Sequence, residues 1–450
     1  MNDSDFVSSD DQLKQIAEDV LKYARSKGAS GAAVGISEGS GLSVSVHKGE
    51  IETIEKNQDK GIGVTVFVGK KRGNATTSDF SKESLRQTVD AAYNIATFTS
   101  EDEAAGLTDA DMLERHPRDL QLYYRWPLNA EEAVEIAKRC EAAAFETDKR
   151  ISNTEGASVN VSHSHFISAN SEGFIGGYPY SSHSFSVAPI AGSGGNMQRD
   201  YWYTSSRNPA ELKSPEEVGR YAAERALARL NARSVGTRKC PVLFEAPLAI
   251  GLLNSFVYGV SGGALYRKSS FLLDSMDKPV FPDHIGLLED PHIIGASGSA
   301  PFDDEGVRTS RRQIVEDGIV RGYFLSSYSA RKLGMKTTGN AGGSHNLILS
   351  SKLTEETDDF AAMLKKMGTG LVVTDLMGQG INYVTGDYSR GASGFWVENG
   401  VIQYPVEEIT IAGNLKEMFR RIVAIGADTQ IRGGKKSGSI LIGEMTVAGV

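Results

Sequence analysis

The chain has 450 residues and a formal net charge of −9, with 48 Lys plus Arg against 57 Asp plus Glu, room for about three units at roughly 150 residues each and for a large unstapled core. Two cysteines, Cys140 and Cys240, and eight histidines exclude a disulfide scaffold and an all-cysteine zinc site. The acidic balance argues against nucleic-acid binding, which needs a basic face, and 49 glycines against 13 prolines point to many turns and hairpins.

The first five residues, Met1-Asn2-Asp3-Ser4-Asp5, are polar and acidic, unlike a signal peptide. Leu13, Ile16, Val20 and Ala24 recur at helical spacing over residues 10–27 behind a Ser8-Ser9 cap. Leu42, Val44 and Val46 then alternate as a strand up to a Lys48-Gly49 turn, and Ile62, Val64 and Val66 alternate up to Gly69. A second helix is expected from Ser81 to about Thr97, and residues 100–128 read as a connector. A third helix over 130–147 precedes two strands, 157–169 and 174–187, joined by a turn at Asn170-Ser171-Glu172-Gly173. Pro215 with Glu216 and Glu217 opens a fourth helix after Ser214.

Beyond Arg238 the strands shorten and glycine turns become dense. Asp317-Gly318 and Asn399-Gly400 each sit between β-branched runs, the signature of hairpins with type I′ turns. Helices are expected over 355–367 and 415–423. The apolar run 247–260 has too few residues to span a bilayer and contains Asn254 and Ser255. The reading is an α+β fold: an N-terminal α+β domain over 1–235, in two segments 1–115 and 127–235, then a β-rich C-terminal domain over 236–450 with Gly-rich hairpins. The expected location is the cytoplasm, with no membrane and no nucleic-acid partner.

Few spacings carry chemistry. His163 and His165, two apart on a strand, share a face and could reach one metal ion, with His183 on the next strand as a third candidate. That face also carries Val159, Val161 and Ile167, so packed histidines are the plainer reading. A turn at Ser171-Glu172 would pair position 163 with about 180 rather than 183. Two Gly-x-Ser-x-Gly matches, at 35–39 and 259–263, lack a strand-to-helix elbow. Lys70-Lys71-Arg72 and residues 432–436 read as solvated basic turns, and the latter lacks the first glycine of a phosphate loop. Asp303-Asp304-Glu305 reads as a solvated carboxylate run. Composition and spacing name no reaction.

A series of segments in the C-terminal half does more. It runs through Asp304-Glu305-Gly306, Val315-Glu316-Asp317-Gly318 and Leu333-Gly334-Met335-Lys336-Thr337-Thr338-Gly339-Asn340. It continues with Thr385-Gly386-Asp387-Tyr388-Ser389-Arg390-Gly391-Ala392-Ser393-Gly394, Glu398-Asn399-Gly400, Pro405-Val406 and Thr410-Ile411-Ala412-Gly413-Asn414. In order and spacing the series resembles the TldD/TldE metallopeptidase family, also called modulators of DNA gyrase, and the chain is most similar to its TldE-like (PmbA) kind. The resemblance covers nearly the whole chain. It implies a heterodimer in which the TldD-like subunit holds zinc through His-Glu-x-x-x-His and a late cysteine.

The corresponding segment here is Val242-Leu243-Phe244-Glu245-Ala246-Pro247-Leu248-Ala249. Glu245 is kept, Phe244 and Ala249 stand at the histidine positions, and Gly433 stands at the cysteine. The resemblance thus implies a degenerate motif, no cofactor in this chain and zinc in the partner, whose bound water and glutamate would cleave peptides. It also implies unfolded substrates, such as a peptide-toxin precursor leader or a labile antitoxin, lying as an added strand in an enclosed chamber. Whether the chain forms a homodimer in the absence of the partner stays open. Two competing readings stand beside it: a self-sufficient metallopeptidase with other ligands, and a regulatory binding protein acting on gyrase or an RNA-binding regulator.

Overall fold

A computed structural model describes residues 6–449; the polar stretch 1–5 lies outside the described residues. The chain forms two compact units. Unit 1 comprises Met1–Leu227 with Ile294–Thr309 and Ser326–Gly342, so two stretches from beyond residue 236 fold with the N-terminal part. Unit 2 comprises Ala228–Ile293, Ser310–Leu325 and Gly343–Val450. The architecture is α+β. No described helix is long and apolar enough to cross a membrane.

Unit 1 is built on α1 (Asp10–Ser26), β1 (Gly31–His47), β2 (Glu50–Val68), β3 (Lys71–Thr77), α2 (Lys82–Phe98) and α3 (Ala130–Thr147). It continues with β4 (Ile151–Asn170), β5 (Ile175–Ala191), β6 (Gln198–Arg199), β7 (Trp202–Ser206) and α4 (Pro215–Ala228). The strands form one antiparallel sheet in the order β3-β2-β1-β4-β5-β6, with β7 also on β5. Alternation decides its faces. Val34, Ile36, Val44, Val46, Val159 and Ile167 are buried on the face that α1, α2 and α3 cover. Serines such as Ser43, Ser158 and Ser186 alternate on the other. The helix starts are chemically explicit. Ser9 exchanges bonds with Gln12, and Asn129 with Glu132, as capping boxes.

Unit 2 holds β8 (Arg238–Phe244), α5 (Ala246–Gly259), α6 (Gly262–Tyr266), β9 (Ile285–Glu289), β10 (Arg312–Glu316), β11 (Ile319–Val320) and β12 (Leu347–Ser351). It ends with α7 (Phe360–Met367), β13 (Gly370–Met377), β14 (Asp387–Glu398), β15 (Val401–Asn414), α8 (Leu415–Arg420), β16 (Ile422–Ile425), β17 (Gln430–Arg432), β18 (Lys435–Ser437) and β19 (Ile440–Ala448). One sheet runs β11-β10-β9-β12-β18-β17. The other runs β15-β14-β13-β8-β19-β16, and an added β15–β19 pairing closes five of its strands into a ring.

Both expected hairpins form. Asp317 and Gly318 have φ of 51° and 75°, Asn399 and Gly400 51° and 74°, so each turn holds two successive left-handed residues. Other expectations need correction. The sequence pattern does not reveal α5, because the helix is buried around most of its circumference and shows no amphipathic period. The helix expected over 355–367 starts only at Phe360: Glu355 N–H donates to Asp358 in a turn, and Asp359 is the N-cap. The one expected over 415–423 stops at Arg420, where the chain enters β16.

Candidate functional site

The segment that the resemblance sets against the family's metal motif lies at a strand-to-helix junction in unit 2. Phe244 ends β8, pairing with Val373 of β13 on one side and Ile440 of β19 on the other, and is fully buried. Glu245 follows as the N-cap of α5; its N–H donates to Val373 O at 3.1 Å, and its carbonyl accepts from Leu248 and Ala249 at 2.9 Å each. Pro247 falls in the first helical turn, where a missing N–H costs nothing. Ala249, one turn along, is fully buried.

Gly433 lies in the two-residue turn of the β17–β18 hairpin, with φ of 57° and nothing within 4 Å of where a Cβ would sit. α5 packs against both strands of that hairpin. The fold thus brings the motif's helix and the late-glycine hairpin together, although they are far apart in sequence. The basic stretch 432–436 is not simply a solvated turn: Lys435 pairs with the buried Leu347, and burial lowers its ammonium pKa.

The donor chemistry at these positions is plain. A phenyl ring, a methyl group and a glycine offer no lone pair, and one carboxylate cannot hold a catalytic ion that needs about three protein ligands. Zinc does not fit Phe244, Glu245, Ala249 and Gly433.

The three histidines lie on the helix-covered face of unit 1. His163 pairs with Ser181, close to the expected 180, and His183 pairs with Val161. The diagonal still brings the His163 and His183 rings to 5.2 Å between centroids. Each ring is engaged by its surroundings. His163 Nε2 accepts from Trp126 N–H at 3.1 Å, and His183 Nε2 donates to Tyr124 O at 2.9 Å. His165 faces Asp10 at 3.2 Å and Glu38 at 3.4 Å, with Phe6 stacked on it at 4.0 Å. Burial lowers the His183 pKa. Among the described residues no three His, Cys, Asp or Glu side chains converge as a metal site. Cys140 and Cys240 are free and buried, their thiols pushed up to about 12 and about 11 by desolvation.

The two Gly-x-Ser-x-Gly matches carry no nucleophile elbow. Ser37 lies inside β1, and Ser261 caps the short α6 while its hydroxyl donates to Tyr258 O at 2.8 Å. The expectation that Asp303-Asp304-Glu305 is solvated fails at its first residue. Asp303 is 4% exposed and accepts three backbone N–H bonds of 2.9 Å, from Glu305, Val307 and Ala341. It ties the 303–307 loop to the end of the Thr338-Gly339-Asn340 segment. A second carboxylate missed in the sequence is Glu289, 1% exposed and paired with Arg312. Its one available signal is an acid ending the apolar strand Leu287-Leu288-Glu289, directly before Asp290.

Comparison with known proteins gives this arrangement its setting. The PmbA/TldA metallopeptidase C-terminal domain matches residues 237–449, the central domain 123–230 and domain 1 32–96. The chain is 47% identical to the metalloprotease PmbA of Escherichia coli O157:H7 over 97% of this chain and 96% of that one. The chain belongs to the PmbA/TldD metallopeptidase family. It is 45% identical to the PmbA homolog of Haemophilus influenzae, over 98% of this chain and 97% of that one. A crystal structure from Bacteroides thetaiotaomicron, of a chain named for modulation of DNA gyrase, superposes with a TM-score of 0.92 at 27% identity, covering 98% of this chain and 100% of that one. TldE of Thermococcus kodakarensis shares the fold, with a TM-score of 0.83 at 19% identity over 96% of this chain and 100% of that one. Within this PmbA/TldD family member, Phe244 to Ala249 and Gly433 fall inside the matched C-terminal domain.

Proposed function

We propose that this chain is the non-catalytic subunit of a heterodimeric, cytoplasmic zinc metallopeptidase, in which a TldD-like partner holds the metal and cleaves unfolded peptides. One observation supports the reading. The positions that the resemblance sets against the family's metal motif meet in the fold, at the β8–α5 junction and the hairpin packed on α5, and their side chains, Phe244, Ala249 and Gly433, cannot ligate. The chain completes the chamber and offers sheet edges against which an extended peptide can lie, held by main-chain bonds that are blind to sequence. Selection for unfolded segments, such as a precursor leader or a labile antitoxin, then follows from enclosure.

The test compares the purified chain, its TldD-like partner and their mixture for peptide cleavage and for zinc by elemental analysis. Cleavage and one zinc per heterodimer in the mixture, with neither in this chain alone, are expected. Cleavage by this chain alone with stoichiometric zinc would overturn the proposal in favour of a self-sufficient peptidase.

A further inference from the structure

Among the described residues β2 carries a long uncovered edge of unit 1. Its inner side pairs with β1 throughout, but β3 covers its outer side only from Ile62 onward. Residues 50–60 are exposed on both faces, and among the described residues no strand or bridge occupies their outer side. At about 3.3 Å per residue this is an open ladder of roughly 35 Å. Natural edges are kept short, twisted or covered, because unpaired N–H and C=O groups recruit other strands. This edge also continues the core outward. Val44 and Val46 are fully buried, yet their β2 partners Ile54 and Ile51 are 45% and 52% exposed.

The charges on the edge are sorted by face. Val44 opposite Ile54 fixes the even positions of the regular segment 53–61 on the helix-covered face, so Lys56 and Lys60 lie there and Glu55 and Asp59 on the other. Among the described residues Glu55, Lys56 and Asp59 make no ion pair or hydrogen bond through their side chains; Lys60 lies 5.0 Å over the Phe80 ring.

This sorting rejects a second copy. In an antiparallel two-fold pairing, residues opposite each other share a face, with Cβ atoms about 5 Å apart. A two-fold centred on residue 55, 56, 59 or 60 sets that charge against itself. One centred on 57 sets Glu55 against Asp59 twice, and one centred on 58 sets Lys56 against Lys60 twice. Registers centred at 54 or below run across the bulge at Glu52, where Ser45 pairs with Thr53 but Val46 with Ile51. What fits is a different strand, with acids opposite Lys56 and Lys60 and bases opposite Glu55 and Asp59.

We propose that the outer edge of β2, residues 50–61, receives such a strand from the TldD-like partner, extending the unit 1 sheet across the heterodimer. The inference rests on the heterodimer reading above. Such sorting gives specificity by penalising the wrong partner as well as by attracting the right one.

The test measures binding of the full chain to its TldD-like partner for three forms: unaltered, Lys56→Glu with Lys60→Glu, and Glu55→Lys with Asp59→Lys. Glu83→Lys on α2 serves as a surface control. All the altered side chains are exposed, so thermal unfolding shifts only slightly and reports that the variants fold. Each double reversal is expected to raise Kd at least ten-fold at low salt, the control to leave it unchanged, and backbone amides within 50–61 to gain hydrogen-exchange protection only when partner is added. If the unaltered chain binds partner and both reversals bind equally well, this edge is not the docking edge, while the heterodimer stands. If the unaltered chain does not bind partner, both proposals fall. Protection of 50–61 by unfolded peptide but not by partner would also overturn this one.

Discussion

Arg312 donates to the carboxylate of Glu289 twice, at 2.6 and 3.1 Å, and the Glu289 side chain is 1% exposed. The other oxygen of Glu289 accepts His345 N–H at 2.9 Å, so the acid ties β9 to β10 and to the approach of β12. Removing one member of a buried pair leaves an uncompensated charge and costs about 3–5 kcal/mol, more than the pair itself contributes. Arg312→Ala is therefore expected to lower the urea midpoint strongly, and Arg312→Ala with Glu289→Gln to recover part of the loss. Equal midpoints for the single and double variants would show that the charge is not the cause.

Glu141 plays a comparable part in unit 1. It reaches from α3 to accept Lys48 N–H at 2.8 Å, Gly49 N–H at 2.7 Å and the Thr154 hydroxyl at 2.6 Å, while only 1% exposed. Lys48 and Gly49 form the left-handed turn of the β1–β2 hairpin, with φ of 53° and 75°. Glu141→Gln replaces one acceptor with an amide that repels a facing N–H, at a cost of about 1–3 kcal/mol. Faster hydrogen exchange at the amides of Lys48 and Gly49 would accompany the loss. Unchanged exchange there would mean that the turn holds itself without the carboxylate.

Buried carboxylates mark where the sequence stops being legible. The capping boxes at Ser9 and Asn129 and the hairpins at Asp317-Gly318 and Asn399-Gly400 depend on residues within a few positions, so local chemistry names them. Helix α5 is apolar on nearly every side, which erases its period. Glu289 and Asp303 look like ordinary surface acids until distant chain arrives. Arg312 comes from another strand, and the third donor to Asp303, Ala341, lies 38 residues away. For the candidate site, the residues at 244, 245, 249 and 433 came from a family resemblance. Nothing local in Phe244 or Gly433 says that α5 and the β17–β18 hairpin meet.

Asp303 gives a pH prediction. Burial pushes its carboxyl up to about 7, prevailing over the three backbone N–H donors that favour the ionised form. The folded pKa lies above the unfolded value, so between pH 3.8 and about 7 the native state keeps a proton that the unfolded chain releases. Its contribution to stability is therefore present below pH 3.8 and lost as pH rises through that window. Asp303→Asn stays neutral throughout. Urea midpoints measured across the window are expected to fall less steeply with pH in Asp303→Asn than in the unaltered chain. Parallel slopes would assign the pH dependence to other groups.

Rebuilding the metal motif tests the degenerate-site reading from the opposite direction. Phe244→His, Ala249→His and Gly433→Cys together would restore three donors beside Glu245, enough for a zinc site with one open position. The hairpin has room, since nothing lies within 4 Å of the Cβ position at Gly433, although its φ of 57° makes a side chain there cost about 1–3 kcal/mol. Phe244→His gives up a fully buried ring at the centre of the sheet, so the variant is expected to be less stable without metal and to regain stability with it. After dialysis against micromolar zinc, the triple variant is expected to retain about one ion per chain. The double variant that keeps Gly433 is expected to retain far less. A folded triple variant that holds no more zinc than the unaltered chain would mean that these positions do not correspond to the family's ligands, and a metal-free subunit would no longer follow from them.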